Sequence, residues 1–313
     1  MKSAVISERW VDTLGHVHRG AQVESVSGFK VIECTHCQFA HAIPLPTAEE
    51  LATIYAHDYY TQEKPFYIEH YLEDKDWWDS VYVQRYALLE MHLESKRRSI
   101  LDVGSGPGLF LAAGRSRGWA VKGIEPSVKA GEYSRNVLGL EVVSDFLTPE
   151  TCASLGRFDA VNMGEVLEHL TDPKSMLGIA SDLLNDGGIL CLVVPNDFNP
   201  FQMVLRDHFD FSPWWVAPPH HLNYFTPESL RALVSRAGFE VLHVETTFPI
   251  DMFLLMGENY IGNSSLGREV HSRRKRFEMA LMQNGKGELL TEMYSALSNL
   301  NVGREVVLFA RKN

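Results

Sequence analysis

Short apolar runs alternate with amphipathic stretches along most of this chain. The first clear run, Ile100-Leu-Asp-Val103, leads into a glycine-rich turn and then the apolar start of a helix at Leu109-Phe-Leu111. Val121-Lys-Gly-Ile-Glu-Pro126 reads as a second strand that ends in an acid, and Leu140 to Val143 as a third. Phe158-Asp-Ala-Val-Asn-Met163 and Gly187-Gly-Ile-Leu-Cys-Leu-Val-Val-Pro195 are the fourth and fifth. Phe239 to Thr247 and Glu305 to Ala310 are the last two. Trp77 to Leu93 predicts a helix ahead of the first strand, and Asp172-Pro173 opens one that reaches Leu184. Proline suits the first helical position because its missing N–H would have no partner there. Thr226 is an N-cap with Pro227 behind it; that helix runs to Ala237 and Gly238 ends it. Such alternation predicts an α/β fold, a doubly wound and mostly parallel sheet covered on both faces.

The same pattern divides the chain. Residues 1–75 form an N-terminal module of short strand-like pieces, one Cys-x-x-Cys and many tyrosines. Residues 76–249 and 301–313 carry the alternating core, and 250–300 read as a helical insertion between its last two strands. A chain of 313 residues is long enough for about two domains. The net charge of −11 argues against nucleic acid as a partner, which would need a broad basic footprint. No apolar run reaches the roughly 18 residues of a membrane span, and the charged start Met1-Lys-Ser-Ala-Val-Ile-Ser-Glu-Arg-Trp10 does not read as a signal peptide. Four cysteines are too sparse for a disulfide scaffold, so a reducing cytoplasm is the expected setting.

The turn after Val103 carries the most chemistry. Gly104, Gly106 and Gly108 let the backbone bend sharply and approach a ligand closely. A dinucleotide fingerprint needs G-x-G-x-x-G, but Leu109 holds its last position, and no Gly-Lys-Ser/Thr of a phosphate loop follows. Pro107 removes one N–H from the turn, which suits a ligand without phosphate. Glu125, about twenty residues on, can accept both hydroxyls of a ribose as a bidentate pair. These features support a nucleoside ligand without identifying it.

The G-x-G-x-G form, with Asp102 just before it, resembles motif I of the class I S-adenosylmethionine-dependent methyltransferases. Asp145-Phe146 and the fourth and fifth strands match that family's later motifs in order. The resemblance implies a seven-stranded Rossmann-like sheet whose last strand is antiparallel, between the fifth and sixth. It implies S-adenosylmethionine as cofactor, with Asp145 at the adenine amino group and Phe146 flanking the ring. Asp102, Gly104, Gly106, Gly108, Glu125, Asn162 and Met163 complete the candidate cofactor set.

Cys34-Thr-His-Cys37 has the spacing of half a zinc ribbon. With no second Cys-x-x-Cys present, His16-Val-His18 is the candidate partner pair, giving a structural His₂Cys₂ site. The alternative is two free cysteines beside surface histidines. The segment from Val31 to Tyr60 resembles the module ahead of many bacterial methyltransferases, including sugar methyltransferases whose zinc ribbons normally use two Cys-x-x-Cys pairs. Tyr55, Tyr59, Tyr60, Tyr67 and Tyr71 either cap the cleft or pack against the core.

A hydroxyl or carbon acceptor must lose a proton, so a base is needed. His220 and His221 are the candidate bases, or brace the loop that carries them. Glu165, Glu168 and His169, placed at i, i+3 and i+4 of a helix, would share one face and could hold magnesium or manganese. With a downstream histidine this resembles metal-dependent O-methyltransferases of ubiquinone precursors and of small RNA 3′ ends; in metal-free relatives such a pair packs beside the cofactor. Glu165, Asn196, Trp214, Trp215 and Tyr224 are the candidate acceptor contacts. The aromatic segment from Phe198 to Pro219 reads as a pocket wall or, alternatively, a homodimer contact. His271-Ser-Arg-Arg-Lys-Arg276 is a solvated helix face or a dock for the phosphates of a carrier-linked acceptor. The expected function is methyl transfer to a hydroxyl oxygen, with carbon second, of a small or carrier-linked metabolite such as a sugar. A metal-dependent RNA 2′-O-methyltransferase and a non-catalytic cofactor-sensing protein are the alternatives.

Overall fold

The computed structural model describes residues 6–13, 15–55, 66–94 and 96–313, so Tyr59 and Tyr60 lie outside the described residues. Four strands open the chain as an antiparallel meander: β1 (Ser7–Val11), β2 (Val17–Val26), β3 (Phe29–Cys34) and β4 (Phe39–Ile43). On β2, Gly20 lies opposite Cys34, and a Cβ there would lie 1.9 Å from the Glu33 carbonyl oxygen. Two short helices follow, α1 (Ala48–Thr53) and α2 (Tyr67–Glu73), and then α3 (Lys75–His92).

The main sheet begins with β5 (Ser99–Val103), α4 (Leu109–Ser116) and β6 (Ala120–Ile124). It continues through α5 (Val128–Asn136), β7 (Val142–Val143), α6 (Pro149–Leu155) and β8 (Phe158–Gly164). Next come α7 (Pro173–Leu183), β9 (Leu184–Pro195), α8 (Pro200–Phe209), β10 (Asn223–Tyr224), α9 (Pro227–Arg236) and β11 (Phe239–Thr246). After α10 (Met252–Leu255), α11 (Ser264–Gln283) and α12 (Gly287–Asn299), β12 (Glu305–Lys312) closes the chain. The seven strands lie in the order β11-β12-β9-β8-β5-β6-β7. β12 runs antiparallel to both neighbours, while β7, β6, β5, β8 and β9 are mutually parallel. The parallel strands are apolar almost throughout because both faces are covered. Ile100 and Ala160 pack with Tyr86, Leu89 and Phe110 of α3 and α4, whereas Leu101 and Val161 pack with Leu177 of α7 and Leu230 of α9. The caps read from sequence are in place: Asp172 accepts from Ser175 N–H at 3.0 Å and Thr226 Oγ1 from Ser229 N–H at 3.2 Å.

The inserted helices α10 to α12 have a small core of their own, around Phe248, Val270, Leu290 and Tyr294. The basic run on α11 fastens it down. His271 and Lys275 meet Asp74, Arg273 meets Glu258, and Arg274 lies over the Trp77 ring while reaching Glu278. His271, Arg273, Arg274 and Lys275 are thus engaged in the insertion's own anchorage, while Arg276 is exposed.

β10 pairs with β4, making the N-terminal sheet five-stranded, β1-β2-β3-β4-β10. The core thus donates a strand to the N-terminal module. Trp215, Val216 and Tyr224 fill this seam against Val31, with Trp214 and Phe198 beside them. Among the described residues no helix is long and apolar enough to cross a membrane.

Candidate active site

A cleft of about 840 Å³ opens at the carboxyl ends of β5, β6 and β8. The glycine turn forms its floor, with positive φ at Gly104 (66°) and Gly106 (51°), which only glycine adopts cheaply. Gly106 N–H donates to Glu125 Oε2 at 2.7 Å and Ser127 N–H to Oε1 at 2.8 Å, so the acid at the end of β6 also braces the turn. Burial pushes Glu125 up to about 7 against these two donors. It pushes Asp102 to about 7 as well, against the hydrogen bond from Asn162 Nδ2 at 2.7 Å. Asp145 and Phe146 line the opposite lip. Asp102, Gly104, Gly106, Glu125, Asp145, Phe146 and Asn162 therefore meet around one space.

Two residues of the expected cofactor set do not. Gly108 caps α4 in the left-handed conformation (φ 79°), packed so that a Cβ would come within 2.6 Å of Leu140 and 2.7 Å of Ser134 Oγ. It shapes the turn from behind. Met163 is fully buried in the core, because β8 alternates and Asn162 takes the cleft-facing position.

Past β8 the expected helix is absent. Glu165 sits at φ 56° and only a short 3₁₀ turn, Leu167–His169, follows. Helical spacing therefore does not apply. Glu165 lines the cleft but stands apart from the group formed by Glu168, His169 and His221, whose ligating atoms lie within 4.8 Å of one another. His169 lines the cleft, and its Nδ1 lies 2.6 Å from the His220 carbonyl oxygen. A carbonyl can only accept, so Nδ1 carries the proton and Nε2 is the basic nitrogen. Nε2 lies 3.6 Å from Glu168 Oε1. Tyr55 O–H donates to the same carbonyl at 2.8 Å and its oxygen lies 2.9 Å from Nδ1, locking the ring.

The expected bases stand one layer back. His220 offers its backbone carbonyl to His169, and the His221 ring packs edge-on against that of His169 at 5.1 Å. Neither side chain lines the cleft. Trp214, Trp215 and Tyr224 belong to the seam with the N-terminal sheet, and buried Asn196 donates to the Gly303 carbonyl at 3.1 Å; none of the four lines the cleft. Tyr71 is buried with Tyr82 and Trp78, whereas Tyr55 and Tyr67 line the cleft.

Sequence reasoning missed Trp78, Tyr82 and Arg85, which recur at i, i+4 and i+7 on α3 and all line the cleft. The signal was present as a helical stripe mixing aromatics with one cation. Arg304 also lines it. Behind Arg304, burial pushes Asp197 up to about 7 against that guanidinium.

In the N-terminal sheet His18 meets Cys34, Cys37 and His41, while His16 does not take part. His16 precedes β2, is half exposed, and binds Asp12 through Nδ1 at 2.9 Å.

Residues 80–244, more than half of the chain, match the family described as methyltransferase domain. The chain belongs to that family. The sheet order and the glycine turn make it a class I S-adenosylmethionine-dependent methyltransferase. This methyltransferase is similar to proteins named ubiquinone biosynthesis O-methyltransferase. It is 32% identical to that of Dinoroseobacter shibae over 45% of this chain and 59% of that protein, and 31% identical to that of Ruegeria sp. over 44% and 59%. The chain thus spans about three fifths of the length of the curated relatives it matches. In fold it is similar to magnesium protoporphyrin IX methyltransferase of Synechocystis with bound SAH, at a TM-score of 0.50 and 14% identity over 82% of this chain and 97% of that one.

Proposed function

We propose that this methyltransferase transfers a methyl group to a hydroxyl oxygen of a small or carrier-linked metabolite, with His169 as the base. S-adenosylmethionine supplies an already activated methyl on a sulfonium. The residues present fit it: a floor without side chains at Gly104 and Gly106, Glu125 for the ribose hydroxyls, Asp145 and Phe146 for the adenine, and Arg85 for the methionine carboxylate. Protein groups must then hold the acceptor in line, exclude water and take its proton. The observation that carries the reading is His169 on the cleft wall with its Nδ1 proton committed to the His220 carbonyl, which makes Nε2 the ring nitrogen that would take the hydroxyl proton. Glu168, 3.6 Å away, would pair with the imidazolium so formed. Oxygen as acceptor atom is supported by the O-methyltransferase names of the relatives; carbon is the second choice.

The test is transfer of labelled methyl from S-adenosylmethionine to a panel of hydroxylated sugars, phenols and nucleotide-linked compounds. His169→Asn should lose turnover and keep cofactor affinity. Normal turnover in that variant would remove histidine from the role.

The convergence of Glu168, His169 and His221 supports a second reading, a magnesium or manganese ion that polarises the acceptor oxygen. Dialysis against EDTA separates the two: activity unchanged supports the base, and activity lost and restored by manganese supports the metal.

A further inference from the structure

The N-terminal sheet brings together four ligating side chains distant in sequence: His18 on β2, Cys34 at the end of β3, Cys37 in the turn and His41 on β4. We propose that these four residues bind one zinc ion, which fixes the N-terminal sheet to the wall of the catalytic cleft.

Geometry carries this assignment. A tetrahedral zinc with Zn–S near 2.3 Å and Zn–N near 2.0 Å sets its ligand atoms about 3.3–3.8 Å apart. His18 Nδ1 lies 3.1 Å from His41 Nε2, 3.4 Å from Cys37 Sγ and 3.7 Å from Cys34 Sγ. One imidazole has its outer nitrogen held by a carbonyl, as zinc-bound histidines commonly do. His41 Nδ1 donates to the Ala42 carbonyl oxygen at 2.9 Å, leaving Nε2 as the ligand. His18 turns Nδ1 toward the other three ligand atoms, with the Asp12 carboxylate near Nε2 at 3.5 Å. Cys37 N–H points at Cys34 Sγ, 3.5 Å away. Charge agrees too. His18, Cys34 and His41 are almost wholly buried, and two thiolates with two neutral imidazoles around Zn²⁺ sum to zero. On binding, the two thiols release their protons to solvent. Four protein ligands leave no open position, so the ion is structural.

The site is one strand from the cleft. His41 is the register partner of Asn223, and Ala42 N–H donates to the Leu222 carbonyl at 2.8 Å. Asn223 Nδ2 in turn donates to the carbonyls of Leu167 and Leu170 at 2.8 and 2.7 Å, the turn that carries Glu168 and His169.

Elemental analysis of the purified full chain should find one zinc per chain. Cys34→Ser and His41→Ala should lose it, His41→Cys should keep it, and His16→Ala should keep it. Zinc-free wild-type protein overturns the proposal, as does a His16→Ala variant that loses the metal while His41→Ala retains it. Should the loss variants fail to fold, cobalt exchanged into the wild-type chain gives the answer. An intense tetrahedral spectrum with thiolate charge transfer is expected; a weak octahedral one refutes the site.

Discussion

His169 is held by three groups from three parts of the chain: its own turn, the His220 carbonyl and Tyr55. Removing a positioned general base typically costs about 10²–10⁴ in rate. His169→Asn should therefore lower kcat by at least about 100-fold with cofactor affinity unchanged, measured by steady-state kinetics and calorimetry. His220→Ala should stay within about threefold of wild type, because its carbonyl, which the substitution keeps, makes the contact. Asp102 and Glu125 make a different prediction. Burial holds both protonated up to about 7, whereas in the unfolded chain they would ionise near 4. Between those values the folded chain binds more protons, so their contribution to stability falls as pH rises from about 4 to about 7. A ligand carrying sulfonium and ammonium charge favours both carboxylates. Cofactor binding near pH 6.5 should therefore release protons, seen as a buffer-dependent heat, and affinity should weaken as pH drops below about 7. The residues that converge on the floor and lip of the cleft were legible in the sequence, because they lie near strand ends or at glycines, where local pattern fixes position. The surroundings of His169 were not legible, because its place on the cleft wall follows Glu165 entering the left-handed region, which no periodicity announces.

At the level of elements, Asn223 connects β10 to the 3₁₀ turn below the cleft. Asn223→Ala removes both of these bonds, leaving the Leu167 carbonyl with only the long 3.4 Å bond from Leu170 N–H, at a cost of about 1–3 kcal/mol. Urea denaturation should show that loss, with kcat falling more than cofactor affinity. Glu278 ties the inserted helices to α3, receiving Trp77 Nε1–H at 2.5 Å and meeting Arg274 and Tyr294. Glu278→Ala strands a buried guanidinium, so a loss of about 3–5 kcal/mol is expected, read as a lowered Tm. Strands, helices and the insertion could be read from the pattern because caps and apolar periods are local. The partner of His18 could not: His41 is distant in sequence and comes close only through the β2-β3-β4 register. The aromatic run around Trp214 was likewise ambiguous, since a seam and a pocket wall need the same residues.

Across the whole molecule, the N-terminal sheet and the core share β10 and the apolar seam of Trp215, Val216 and Tyr224. They should melt in a single transition by calorimetry. A chain beginning at residue 76 would expose that seam and lose the strand partner of Asn223, so it is expected to aggregate or to melt at a lower temperature.

The sharing of β10 also separates what this enzyme can change from what it must keep. The residues proposed to hold the methyl donor all fall between residues 85 and 165, whereas the far side of the cleft is lined by Tyr55 and Tyr67, beside the loop that β4 holds in place. Exchanging the opening segment together with residues 198–225 should thus retarget the enzyme to new alcohols while the donor grip stays intact. Grafting either piece without the other would break the β4–β10 pairing between them.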